Sequence, residues 1–264
     1  MADHTAPARF GRLSPLTFAM VVAVAAFVLV SIQQVSPSPG QLAGGVPRMA
    51  NLVDRMLPPS VEPGFLVRVF WRLLETFQIA VAGTAVGMLL SLPIAWLSAR
   101  GLSPLGLGRH AMRALISLFR TVPDLVWALL FVSAVGLGAV AGTLTIVVDT
   151  IGFCGRFYAE AMEDADKQPQ EALGAGGASR FQIVSAAVVP DAMPSMINTS
   201  LFALEKAVRS SVVLGLVGAG GIGQELKVAF DLFQYQNAST IILAIFVIVL
   251  VMEQLTDWLR SKVQ

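Results

Sequence analysis

The stretch TFQIAVAGTAVGMLLSLPIAWLSA, Thr76 to Ala99, decides the fold class: it lies between Glu75 and Arg100 and holds no charged residue. A helix needs about 20 mostly apolar residues to cross a bilayer core, and this run supplies them. Pro93 is compatible with that reading, because neighbouring groups in a membrane bundle satisfy the carbonyl that a proline frees. The rest of the chain agrees. Of its 264 residues 55% are hydrophobic and 13% charged, against about 25% charged in an ordinary soluble domain; mean hydropathy is +0.73. A soluble globule of this composition would run short of surface charge, and disorder requires low hydrophobicity and high charge. A net charge of +1 gives no footprint for nucleic acid. The single cysteine, Cys154, forms no intrachain disulfide. These observations specify an all-α, multi-pass membrane protein.

Working outward, a second span runs from Asn237 to about Glu253, and a third from Leu16 to Val35. The third is expected to be a retained anchor, since the apolar run is long and no small-residue cleavage site follows cleanly. Residues 125–148 are uncharged, with Gly136, Gly138 and Gly142 marking a turn, so helices are expected at about 113–136 and 141–160. A last helix, about 195–217, carries Glu205, Lys206 and Arg209 before the apolar run Val212–Val217. The expectation is therefore about six transmembrane helices. Basic residues favour the cytoplasmic side, which places Arg9, Arg12, Arg100, Arg109, Arg113, Arg260 and Lys262 inside. The organisation reads as a cytoplasmic tail (1–15), an N-terminal span (16–35) and an extracytoplasmic loop (36–72). A core of five spans (73–258) follows, with a cytoplasmic loop at 160–194, and then a short cytoplasmic tail (259–264).

The 160–194 segment breaks the membrane pattern. It concentrates Glu160, Glu163, Asp164, Asp166, Lys167, Glu171, Arg180 and Asp191, with prolines at 169, 190 and 194. Two helices can be joined by far fewer residues, and an ordered polar insertion of this size usually contacts something outside the membrane. The pattern reads as a helix, a small-residue turn from Gly174 to Ser179, and a second short helix ending at Pro190. Phe181, Ile183, Val184, Val188 and Val189 supply apolar contact surface. Glu171 is suited to cap a helix start or to pair with a basic group on a partner.

Within this loop, Glu171-Ala172-Leu173, then Gly177, then Val189-Pro190 resembles the cytoplasmic signature of ABC importer permeases, Glu-Ala-Ala, three residues, Gly, nine residues, Ile-x-Leu-Pro. Leu173, Ala187 and Val189 depart from that pattern, while the Glu, Gly and Pro spacings are intact. Gln168 to Leu173, Gly177-Ala178-Ser179, Val188 to Pro190, Val132 to Gly138, Val208 to Ser211 and Val213 to Gly223 resemble the phosphonate and phosphite branch of the family. The likeness covers most of the chain from about Val67 onward. It implies a type I importer permease fold in the bacterial inner membrane, and a homodimer. It also implies a separate ATPase subunit that binds ATP and an extracytoplasmic binding protein that delivers the substrate. The coupling contact falls on Glu171, Ala172, Gly177, Ala178, Ser179, Val189 and Pro190. The implied cargo is a phosphorus oxyanion, phosphonate or phosphite, with another small anion or solute as the alternative.

Other patterns are less specific. Gly218, Gly220 and Gly223 fit G-x-G-x-x-G, but no βαβ unit surrounds them, so a dinucleotide site is not expected. Either close helix packing or a gate near the outer mouth, including Gly221, accounts for them; under the gate reading Gly220→Val impairs transport and leaves assembly intact. Glu205 and Arg209 share a helix face, and charges at membrane depth mark either a structural pair or a translocation path. Arg120 with Asp124, and Asp149 with Arg156, are further candidate pairs. An intramembrane enzyme built on such pairs, or an assembly factor, are the rival classes. No G-x-x-x-x-G-K-[ST] is present, so the chain does not power itself. With only His4 and His110, neither a histidine metal site nor Ser-His catalysis is expected.

Overall fold

The computed structural model describes residues 14–35 and 38–263. The predicted tail with His4, Arg9 and Arg12 lies outside the described residues. Two compact units are present, one up to Asp54 and one from Arg55 onward. The described residues are helical throughout, with no strand. The first unit holds α1 (Pro15–Val35), uncharged and with no buried residue, and most of the amphipathic α2 (Pro39–Met56).

The second unit is built on α3 (Pro63–Ser98) and α6 (Ala139–Asp164). Helix α3 begins well before the uncharged run. Its first turns bury Phe65 and Val69 against Ile222, Ala229, Ala238 and Ile241. Arg72 is neutralised by Glu75 (2.7 Å) and Glu225 (3.2 Å). The segment expected to be a loop, 36–72, is thus largely helical. Along α3 a stripe of small residues, Ala80, Gly83, Thr84, Gly87, Ser91 and Ala95, is buried. A Cβ on Gly83 would stand 2.6 Å from that of Ile146, and one on Gly87 2.5 Å from that of Thr150. Gly83 and Gly87 form a G-x-x-x-G pair, the arrangement that lets membrane helices approach backbone to backbone.

The helix expected at 113–136 is instead two: α4 (Arg109–Thr121) and α5 (Asp124–Val135), bent by 91°. The cause lies in Val122-Pro123. Pro123 has no N–H to give, and the residue before a proline is pushed to extended backbone, where Val122 sits at ψ 122°. At the other end of α5, Gly136 and Gly138 adopt positive φ and turn the chain into α6. After α6 come α7 (Lys167–Ala175) and α8 (Arg180–Ile183). A single π-helical turn (Val184–Val188) leads from α8 directly into α9 (Val189–Gly215). Pro190 therefore does not end the short helix. It sits in the first turn of α9, behind a turn in which Val189 N–H donates to Val184 five residues back, so its missing donor is absorbed without a break. Helices α10 (Ile222–Asp231) and α11 (Tyr235–Val263) complete the unit.

Four helices, α1, α3, α6 and α11, are long and apolar enough to cross a membrane, and the bent α4–α5 pair makes a fifth. Helix α9 is the sixth of the expected set. Its 27 residues extend about 40 Å at 1.5 Å per residue, but it carries Asp191, Glu205, Lys206 and Arg209. The chain is an all-α membrane protein.

The α3–α6 contact yields a stability test. Gly87→Leu forces overpacking against Thr150 and the Val147 carbonyl, a cost of about 1–3 kcal/mol or more; it lowers both the yield and the melting temperature of the detergent-solubilised protein. Gly64→Ala in the same helix meets nothing within 4 Å and leaves both unchanged or slightly improved.

Candidate functional site: the cytoplasmic loop and the charged helix

The loop between α6 and α9 is a folded unit. Asp166 caps α7, its Oδ1 accepting from Gln168 N–H at 3.0 Å, so the capping role belongs to Asp166 and not to Glu171. Helix α7 ends in a Schellman arrangement. Gly177 takes φ +80°, its N–H donates to Gly174 O (3.0 Å), and Ala178 N–H donates to Leu173 O (3.0 Å). Ser179 then opens α8 with a reciprocal capping box, accepting from Gln182 N–H and donating its own N–H to Gln182 Oε1 at 2.8 Å. Gly177, Ala178 and Ser179 thus fix the angle between two short helices.

This unit is tied to the ends of the membrane helices. Val184 and Val188 are buried with Tyr158, Met162, Ala95 and Ala99. Arg180 Nη1 donates to Ser103 O at 2.8 Å, and the Phe181 ring lies 5.9 Å from that of Trp96. Asp191 accepts from Asp166 N–H at 2.8 Å. Beside it, Glu163 gathers Arg100 N–H (2.8 Å) and the Arg113 guanidinium, whose Nε also holds Ser98 O (2.9 Å). The basic residues Arg100, Arg109, Arg113, Lys167 and Arg180 collect at this end, the side that the sequence leads one to expect in the cytoplasm.

What faces outward is different. Glu171, Ala172, Gly177 and Ser179 are exposed, Ala178 and Val189 half-buried, and Pro190 exposed. Among the described residues the Glu171 side chain has no hydrogen bond or ion pair; it borders a cleft of about 660 Å³ with Arg100, Lys167, Gln170 and Arg180. Phe181 is 65% exposed despite its contact with Trp96. A free carboxylate, a protruding aromatic ring and a rigid turn form a surface made to be covered.

At the opposite end, Gly218, Gly220 and Gly221 all have positive φ. Gly138 N–H donates to Gly218 O (2.9 Å) and Ile222 N–H to Thr76 Oγ1 (2.7 Å). A Cβ on Gly220 would stand 2.8 Å from Ala139 N, and Gly223 packs against the Val212–Gly215 turn. The geometry is that of close packing. Gly220→Val is therefore incompatible with intact assembly, because the added side chain meets backbone at a strained φ.

Within the span, Glu205 is buried and accepts from Arg209 (2.9 Å) and from Arg260 of α11 (3.4 Å). Asp149 does not pair with Arg156, which holds Glu160 at 2.5 Å. It pairs with Lys206, whose Nζ lies 2.7 and 2.9 Å from its two oxygens. Asp124 accepts from Ser210 (3.1 Å) rather than from Arg120. Local spacing misses the Asp149–Lys206 pair because its partners are 57 residues apart; only their shared depth in the bundle would reveal it. Among the described residues no group of His, Cys, Asp and Glu is arranged to hold a metal.

Comparison with known proteins places these features. Residues 91–264 match the family model described as binding-protein-dependent transport system inner membrane component. A putative phosphite transport system permease protein of Stutzerimonas stutzeri is 42% identical, over 76% of this chain and 78% of that protein. A phosphate-import permease protein of Mycolicibacterium smegmatis is 37% identical over 97% of this chain, which spans 46% of its length. The fold is shared with the inward-facing MetNI methionine ABC transporter (TM-score 0.65, 23% identity, 77% of this chain and 100% of that one). The chain belongs to the family of binding-protein-dependent transport system inner membrane components.

Proposed function

We propose that this chain is the membrane-spanning subunit of an ATP-driven importer in the bacterial inner membrane, and that its cargo is a phosphorus oxyanion, phosphonate or phosphite. The observation that carries the importer reading is the cytoplasmic loop: two capped short helices locked to the ends of α3 and α6 and to the turn after α3, with Glu171 and Phe181 left uncovered. Such a unit transmits force from a soluble motor, and ATP binding belongs to that separate ATPase subunit. The cargo reading is supported by relatives named as phosphite permeases at 36–42% identity over most of the chain. An extracytoplasmic binding protein selects the substrate and docks on the outer face. The permease works as a pair of identical copies; a relative of about twice this length has room for two such units in one chain.

In this reading ATP closes the motor, the α7–α8 unit moves with it, and the continuous helix from Arg180 to Gly215 carries the motion into the membrane. No step of covalent chemistry is assigned to the chain.

Two variants test the loop. Glu171→Lys reverses a charge that has no partner within the chain, so the permease keeps its melting temperature while co-purification of the ATPase subunit falls; unchanged co-purification would remove Glu171 from the contact. Gly177→Val places a β-branched residue at φ +80°, a strain of about 1–2 kcal/mol that re-angles α8. Oxyanion uptake by the complete importer falls about tenfold, while the permease is still recovered from membranes.

A further inference from the structure

The Asp149–Lys206 pair has a position that its structural role does not explain. The uncharged run of α3 is centred on Gly87, and Gly87 packs directly on Thr150, the neighbour of Asp149. Depth measured from the outside agrees. Helix α5 has 12 residues, so its first residue, Asp124, lies about 18 Å below the outer glycine turn, near the middle of a core about 30 Å thick. Ser210 Oγ, one helical turn from Lys206, donates to Asp124 and so joins α5 to α9. Three helices therefore bring two carboxylates, one ammonium and one hydroxyl together at mid-depth. Charge there is expensive, and its usual justification is a substrate or ion pathway.

The two members of the pair differ. The Asp149 side chain is 11% exposed and anchored in α6, whereas that of Lys206 is 33% exposed, with its ammonium 5.5 Å from the Phe153 ring centroid. Lys206 shares a face of α9 with Phe202, Arg209, Ser210 and Val213, all partly or fully exposed in the single chain. A lysine is a point charge on a flexible stem, able to turn from one partner to another while its helix stays in place.

We infer that Lys206 is the membrane-embedded ligand of the transported oxyanion, held by Asp149 until the anion takes its place. The inference rests on the oxyanion reading above. In the resting pair Asp149 neutralises the ammonium, so no bare charge is left in the bilayer. An arriving oxyanion exchanges with the carboxylate, one charge-assisted hydrogen bond for another of similar strength. Asp149, on giving up the ammonium, accepts from the P–O–H group that a singly protonated phosphonate or phosphite carries, so it is not left unpaired. Release follows when Asp149 recovers Lys206. Competition from Asp149 keeps the site weak, as conduction through any site requires.

The test uses the complete importer, with its ATPase and binding protein, in cells lacking other routes for phosphite, and measures uptake of labelled phosphite. Lys206→Gln is expected to lower uptake about tenfold or more, the value of a hydrogen bond to a charged group, and Lys206→Arg to recover most of it. The deciding variant is the double replacement Asp149→Asn with Lys206→Gln. It buries no unpaired charge, so it assembles and co-purifies with the ATPase even if Lys206→Gln alone does not. If Lys206 binds the anion, the double variant stays as inactive as Lys206→Gln. Uptake restored in the double variant, or uptake by Lys206→Gln within about twofold of the wild type, overturns the inference and leaves the oxyanion reading in place. A wild-type importer that moves neither phosphite nor methylphosphonate overturns both.

Discussion

The structure depends on how closely α3 and α6 approach. In lipid, apolar side chains gain nothing by leaving solvent for protein, so association rests on packing and on the few polar groups that must be satisfied. Gly83 and Gly87 leave no room for a Cβ against Ile146 and Thr150. Three hydroxyls in the seam return to their own helices: Thr76 to Arg72 O, Ser91 to Gly87 O, Thr145 to Ala141 O. A third helix, α9, also lies against the seam. Ile79, Ala80 and Ile146 meet Ala207, Val208 and Leu214 there, and small residues set the distance.

That seam is clamped at both ends, and the clamps differ in kind. At the outer end backbone meets backbone, Gly138 to Gly218, and a single hydroxyl, Thr76, receives Ile222 N–H. At the cytoplasmic end long side chains do the work: Arg113 and the Arg100 backbone converge on Glu163, and Arg180 reaches Ser103 O. The outer clamp is short and stiff, while the inner one has rotatable arms. A displacement applied to the α7–α8 unit is therefore absorbed near the cytoplasmic ends and pivots about the glycine turn. The helix that crosses between them is α9, joined to α8 without a break through the π-helical turn. Lys206 is about two thirds of the way along α9 toward that turn, where a rotation of α9 changes what its flexible side chain can reach.

Much of this was legible in the residues. Uncharged runs located α1, α3 and α11 and the start of α6, since charge is what a bilayer core excludes. The concentration of charge in 160–194 located the cytoplasmic unit, and the Glu-Gly-Pro spacing identified its turn. Three features were hidden for physical reasons. The bend at Val122-Pro123 lies inside one expected span, and a proline by itself is compatible with an unbroken membrane helix. The α3 stripe consists of Gly, Ala, Ser and Thr, which carry little hydropathy signal, and only their four-residue repeat betrays it. Pairings such as Asp149–Lys206 and Arg72–Glu225 join distant segments, whereas helical spacing exposes only local ones. Arg120 with Asp124 and Asp149 with Arg156 satisfied that spacing and are not paired, because tertiary partners on α9 and a closer carboxylate at Glu160 outcompete them.

The charge balance within the span follows a rule that these corrections expose. Asp149 pairs with Lys206, Glu205 with Arg209 and Arg260, and Arg260 also with Asp257, while Asp124 accepts from the Ser210 hydroxyl. A single misplaced charge there would be held at several kcal/mol, so the set must be close to neutral for the bundle to assemble. Neutrality does not require rigidity. Glu205 is fixed by two guanidinium groups from different helices, while Lys206 has a single carboxylate partner. The twice-held group is a structural rivet between α9 and α11, and the once-held ammonium is the member whose single carboxylate contact an incoming anion can exchange, provided that Asp149 gains a donor in return.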